Sequence, residues 1–152
     1  MNKSFRRYFG LFGMALALTS SAAFALTPGQ KLTKAEIAEW GALTEYKIGS
    51  SRVRAIPPQY SGSQDTLLLN AQGVVGVSRN EVVVSEAPAD AQAVIQQTQP
   101  RPVSVQHFQP TDITVAKYAD FAQAVEALRA LKAALPGAKV GLPVQFSKQV
   151  PY

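Results

Sequence analysis

Apolar positions change their spacing several times along the chain, and each spacing predicts an element. Thr33-Lys34-Ala35-Glu36 has the form of a capping box, in which Thr33 and Glu36 each satisfy a free backbone N–H at a helix start. Ile37, Trp40 and Leu43 follow three residues apart, which predicts a short helix with one apolar face, ending near Gly41. Trp40 reads as its packing anchor. Tyr46 and Ile48 then alternate with polar residues, and Gly49-Ser50-Ser51 turns the chain toward Val53. Arg52 and Arg54 flank Val53 and read as a solvated face. Pro57-Pro58 and Ser61-Gly62-Ser63 predict a loop or linker. Leu67-Leu68-Leu69 reads as a buried strand and Asn70-Ala71-Gln72-Gly73 as a turn. The β-branched runs Val74–Val77 and Val82–Val84 predict strands on either side of Ser78-Arg79-Asn80-Glu81.

The second half is more regular. The segment 89–95 favours a helix, stopped by Pro100 and Pro102. Val103, Val105 and His107 alternate in a strand that reaches a turn at Gln109-Pro110-Thr111-Asp112, and Ile113 and Val115 alternate on the way back. From Asp120, an N-cap residue type, Phe121, Val125, Leu128, Leu131 and Leu135 trace a helical stripe that Pro136-Gly137 ends. Val140, Leu142, Val144 and Phe146 then stand at strict period two, which predicts a last strand. Strand, helix, strand, strand, helix, strand is the split βαβ order. The expected fold class is therefore α+β: a ferredoxin-like βαββαβ domain, an antiparallel sheet with two helices on one face, preceded by a small N-terminal α+β region. The other sheet face is left open for a partner, and the fold alone names no function.

Charge changes the picture only until the chain start is read. The 152 residues carry 15 Lys+Arg against 10 Asp+Glu, a formal +5 that suggests nucleic acid. Lys3, Arg6 and Arg7, a short apolar run from Tyr8 to Leu18 and the A-x-A pattern Ala23-Phe24-Ala25 have the layout of a Sec-type signal peptide cleaved after Ala25. The apolar run falls short of the ~20 residues that span a bilayer, so no membrane attachment is expected after cleavage. Removal leaves 127 residues with 12 basic against 10 acidic, a balance of +2. The remaining basic residues are spread evenly and lack an aromatic platform, which argues against nucleic-acid binding. The expected location is the periplasm, or outside the cell together with a secreted partner. The organisation expected is residues 1–25 as signal peptide, 26–78 as a small N-terminal domain, 79–146 as the ferredoxin-like domain and 147–152 as an extended tail.

Catalytic chemistry finds little support in these residues. There is no cysteine, so disulfides, thiolate metal sites and a cysteine nucleophile are excluded. His107 is the single histidine; Asp112 is near it in sequence, but no nucleophile-elbow sequence exists, and a local hydrogen bond is the simpler role. The acids are scattered, and Gly73-Val74-Val75-Gly76 lacks the spacing of a nucleotide-binding loop. The expectation is a chain that is not an enzyme and uses no cofactor or metal. At the other end, Ser147-Lys148-Gln149-Val150-Pro151-Tyr152 has no helix signal, and Pro151 holds Val150 extended. Such an end either adds as a strand to another protein or frays, and physics alone leaves both open.

Asn80-Glu81-Val82-Val83-Val84 opening a strand, two Ala-rich helices, and Pro136-Gly137-Ala138-Lys139-Val140 entering the last strand resemble the inhibitor-type propeptides of subtilisin-family serine proteases. The resemblance covers about Arg79 to Tyr152. With its signal peptide and additional N-terminal region, the whole chain resembles the external chaperones of secreted kexin-like subtilases. That resemblance implies a 1:1 partnership with such a protease, in which the open sheet face packs on two surface helices of the enzyme and templates its folding. It implies carboxylates that cap those helices' N-termini, with Asp112 the candidate by position and Glu81 and Glu86 beside it. It also implies a tail, Lys148, Gln149, Val150, Pro151 and Tyr152, that enters the active-site cleft as a product-like strand and inhibits. Pro151-Tyr152 is not the dibasic end that a kexin-like enzyme prefers. Either the tail binds without matching that preference, or the cleft contact shifts toward Lys148. The rival expectation is a periplasmic protease inhibitor or protein-binding module with no folding role.

Overall fold

The computed structural model describes residues 25–147. Residues 1–24, nearly all of the expected signal peptide 1–25, and the tail Lys148–Tyr152 lie outside the described residues. Among these described residues the fold is α+β, with two four-stranded antiparallel sheets and three α-helices.

The predicted capping box forms at the start of α1, Lys34–Ala38: the Glu36 N–H reaches Thr33 Oγ1 at 3.3 Å, and the Thr33 N–H donates to the Glu36 carboxylate at 2.7 Å. The helix closes three residues before Gly41. Strands β1 (Glu45–Ile48), β2 (Ser51–Ala55), β3 (Thr66–Leu69) and β4 (Val75–Ser78) follow as a meander in sheet order β1-β2-β3-β4. Gly49, at φ 59°, takes the left-handed position of the β1–β2 turn, which a residue without Cβ adopts at no steric cost. The run Leu67-Leu68-Leu69 is buried throughout because this sheet is covered on both sides. Leu67, Leu69 and Val75 join Leu32 and Ile56 in one cluster, with Ile37, Trp40 and Tyr60 packed against it. Trp40 is the packing anchor expected, its ring 5.2 Å from that of Tyr60. Val53 and Leu68, on the other face, belong to the core of the second half.

That second half runs β5 (Glu81–Ser85), α2 (Ala91–Gln97), β6 (Ser104–Phe108), β7 (Ile113–Lys117), α3 (Phe121–Ala134) and β8 (Lys139–Gly141). The sheet order is β6-β7-β5-β8, with every neighbouring pair antiparallel. Asp120 caps α3 as its residue type predicts, accepting the Gln123 N–H at 2.8 Å. Val82, Val84 and Ala116 share one face of the sheet and are buried with Ala91 and Ile95 of α2 and with Phe121, Val125, Leu128 and Leu131 of α3. Both helices therefore cover the same face.

One feature departs from the sequence expectation. The last strand covers only Lys139–Gly141 rather than running to Phe146. Pro143 has no N–H to donate to β5, and the chain crosses instead to the first sheet, where Gln145 and Val77 exchange backbone hydrogen bonds of 2.9 Å in both directions. Phe146 seats against Gly76, where any Cβ would meet its ring at 2.6 Å. Period two persists through this segment, but its second half reports contact with a different sheet. The two halves also share a core: Tyr46 of β1 meets Phe121 of α3 edge-on at 5.2 Å.

The joint between the halves is Asn80. It is buried at φ 59°, and its side chain accepts from Thr66 Oγ1 at 2.9 Å and donates to the Gln64 carbonyl at 3.4 Å. Its own N–H reaches Ser78 Oγ at 3.1 Å, and its carbonyl accepts from the Tyr118 N–H at 2.9 Å. Asparagine is among the few residues that enter the left-handed region readily, so residue type and conformation agree.

Candidate functional site

The face of the second sheet opposite its helices is the surface to which the sequence directed attention. The strand register assigns its residues. Glu81, Lys117 and Ser104 form one cross-strand row; Val83, Val115 and Gln106 the next; Ser85, Ile113 and Phe108 the third. Gly141 stands beside Val83 and Lys139 beside Ser85 on the far edge. The centre is thus apolar and half-buried, while Phe108 is 48% exposed at one margin. An exposed aromatic next to three aliphatic side chains is contact surface rather than core.

The three candidate carboxylates do not act as one group. The β5–β7 register pairs Ser85 with Ile113, so Glu86 and Asp112, the residues just beyond, lie at the same end of the sheet. Glu81 opens β5 and lies at the opposite end, about 17 Å from Glu86 along a strand at 3.4 Å per residue. Glu86 forms an ion pair with Lys139, so its charge is already engaged. Asp112 occupies a left-handed position, φ 50°, where the chain leaves a 3₁₀ turn over Gln109–Thr111, and its side chain is 66% exposed. Among the three, Asp112 presents its carboxylate at the rim most freely.

His107 behaves as the simpler reading anticipated. Its Nδ1 lies 2.9 Å from Thr114 Oγ1, the residue directly across from it on β7. Its Nε2 is 4.0 Å from Asp112 Oδ1, beyond hydrogen-bond reach. Thr114 is only 3% exposed, and Asp112 stands too far from Nε2 to orient the ring, although the three side by side line a pocket of about 240 Å³ on the helix side of the sheet. Among the described residues, no group of three His, Cys, Asp or Glu side chains could hold a metal ion, and no helix is long and apolar enough to cross a membrane.

Pro143–Ser147, together with Val77, Arg79 and Glu81, line a groove of about 480 Å³ at the Glu81 end of the sheet. Glu81 therefore sits by the departure of the tail, not with Asp112. The tail candidates Lys148, Gln149, Val150, Pro151 and Tyr152 themselves lie outside the described residues.

Sequence reasoning overlooked Phe108, Asn80 and the Gly76–Phe146 contact. Phe108 has the opposite parity to Val103, Val105 and His107, which marked the helix-side face, so its parity alone was a signal for the exposed face. No local pattern announces that Phe146 meets Gly76, because the contact joins residues 70 positions apart. No family model, no curated protein and no solved structure matches the chain.

Proposed function

We propose that the chain is an exported intermolecular chaperone that assists the folding of a secreted subtilisin-like serine protease, and inhibits it through a C-terminal tail placed in the active-site cleft. The observation that carries the proposal is the apolar, partly exposed face of the second sheet, backed by two helices, with Asp112 in the turn at its rim. Its strand–helix succession and the order β6-β7-β5-β8 fit a ferredoxin-like unit, the arrangement of the subtilase propeptides that residues 79–152 resemble. The link from that arrangement to a protease partner is an analogy of fold.

The physical account follows from surface chemistry. A partner presenting two surface helices covers Val83, Ile113, Val115 and Phe108, and gains the burial of their apolar area. Asp112 caps a helix N-terminus on the partner; Glu86 contributes less because Lys139 already neutralises it. Binding the folded protease and not its unfolded chain raises the folded population by mass action, so no ATP or cofactor is needed.

The test is production of the partner protease, a subtilase lacking its own propeptide, with the full chain, with a chain ending at Ser147, and alone. The proposal expects active protease only with a chaperone present, and inhibition of mature enzyme only by the full-length form. Equal yields in all three would end it. Recovery of protease from denaturant distinguishes the inhibitor reading: a pure inhibitor blocks mature enzyme without raising recovery.

A further inference from the structure

Four strands stand at sheet margins, and three of them carry a device against pairing with another chain. β4 is covered by the chain itself: the Gly29 N–H and the Gln30 carbonyl bond to Val75 at 2.8 Å, and Gln145 bonds to Val77. β1 bears Glu45 and Lys47, both exposed, in four residues. β8 is three residues long and begins with Lys139. Short length, charge and cover are the recognised ways of blunting an edge. β6 has none of them within Ser104-Val105-Gln106-His107-Phe108, and four of its five residues are exposed. Proline appears only outside it, at 102 and 110, and frames an open window of five residues.

We propose that the outer edge of β6 is a homotypic pairing site, where two copies of this chain join antiparallel about a two-fold axis at Gln106. The symmetry selects this register. A two-fold perpendicular to the sheet keeps each residue on its own face, so facing residues must share parity, and centring on Gln106 is the one choice that pairs all five. Gln106 then faces its own copy, where two side-chain amides exchange hydrogen bonds. Phe108 lies across from Ser104 of the second copy and loses part of its exposed area. The stretch before one strand runs beside the turn after the other, which brings exposed Arg101 of each copy toward exposed Asp112 of its mate. Opposite charges meet twice across the axis, and no like charges face each other within the strand. This complementarity is why a second copy, and not an arbitrary extended peptide, is the occupant.

The pairing leaves the open sheet face free, so it does not rest on the protease reading, although the two uses of Asp112 compete. Five strand residues span about 17 Å. An edge contact of that length falls in the small, weak class of interfaces, below about 1,200 Å². Association is therefore concentration-dependent, with a dissociation constant in the micromolar range.

Sedimentation velocity of the chain from Leu26 to Tyr152, from about 1 μM to about 1 mM, tests this directly. A monomer–dimer equilibrium is expected. Gln106→Lys, which sets two ammonium groups face to face at the axis, is expected to weaken it about fivefold or more. Arg101→Glu, outside any strand, is expected to weaken it too, and Arg101→Glu with Asp112→Arg to restore it. Circular dichroism of each variant verifies that the fold is kept. A monomer at every concentration would overturn the proposal, and so would a dimer indifferent to Gln106→Lys.

Discussion

Gly76→Ala probes the contact that directs the end of the chain. Gly76 is buried in β4 and its φ lies outside the left-handed region, so its backbone accommodates alanine. The obstacle is steric: the added Cβ would stand 2.6 Å from Cδ1 and Cε1 of Phe146 and 3.1 Å from Cζ. Such overpacking costs about 1–3 kcal/mol. Against it, replacing glycine within a strand restricts the unfolded chain and contributes about 0.5–1 kcal/mol of stability. The net expectation is a loss of about 0–2.5 kcal/mol, or up to about 10 °C in Tm at about 4 °C per kcal/mol for a chain of this size. The discriminating measurement is the same substitution in a Phe146→Ala background. With the ring gone the clash is gone, and Gly76→Ala should then stabilise by about 0.5–1 kcal/mol. The sign reverses between backgrounds, and the coupling energy in the double-mutant cycle is about 1–3 kcal/mol. Calorimetric or urea melts of the four proteins read it. An equal effect of Gly76→Ala in both backgrounds would refute the Phe146 seat and, with it, the fixed departure of the tail. Limited proteolysis between Leu142 and Ser147 should accelerate in Gly76→Ala if the segment is released from β4.

The other expectations concern the scaffold. Thr33→Ala should cost about 1 kcal/mol by urea melt, since it removes the cap of α1. Hydrogen bonds from the Thr33 backbone and hydroxyl hold the Glu36 carboxyl below its ordinary 4.5. The folded state thus binds its proton less readily than the unfolded chain, and this contribution is present above 4.5 and lost as pH falls through the lower folded value. Melts across that range should show the loss in the native chain and not in Glu36→Gln. Asn80→Ala should cost about 2–4 kcal/mol, combining buried partners left unpaired with a left-handed backbone, and Asn80→Gly should cost less because only the hydrogen bonds are lost. Tyr118→Phe should be neutral or stabilising by about 1 kcal/mol, because the phenol oxygen is buried without a hydrogen-bond partner. Burial raises the Tyr118 pKa above 10.0, so the unfolded chain ionises first and stability falls as pH rises past 10.0. Melts of Tyr118→Phe should lack that part of the alkaline loss, and an unchanged alkaline slope would count against it.

How far the candidate site could be read from the chain differs residue by residue. Asp112 was placed correctly in a turn at a sheet rim, because Gln-Pro-Thr-Asp is a turn signal whatever surrounds it. Its grouping with Glu86, and the separation of both from Glu81, came only from the register of β5 on β7. The ion pair of Glu86 with Lys139 joins residues 53 positions apart, and no local rule anticipates it. His107 was read correctly as a residue with a local partner, while the identity of that partner, Thr114, depended on the β6–β7 register.

The sequence by itself determined the elements of this protein. Caps at Thr33 and Asp120, the turn at Gly49, the stripe from Phe121 to Leu135 and the alternation in β5 and β7 each arise from interactions between near neighbours. Those energies depend on residues a few positions apart, so the chain displays them directly. Only the tertiary structure decided what each apolar face meets. Val144 and Phe146 kept a strand's period but went to the first sheet, since Pro143 denies β5 a donor and Gly76 leaves room for a ring. Leu68 and Val53 of the first sheet likewise pack into the core of the second half. Burial is non-directional and rewards any apolar surface alike. Shape and register choose among the partners, and those emerge only when distant segments are packed together.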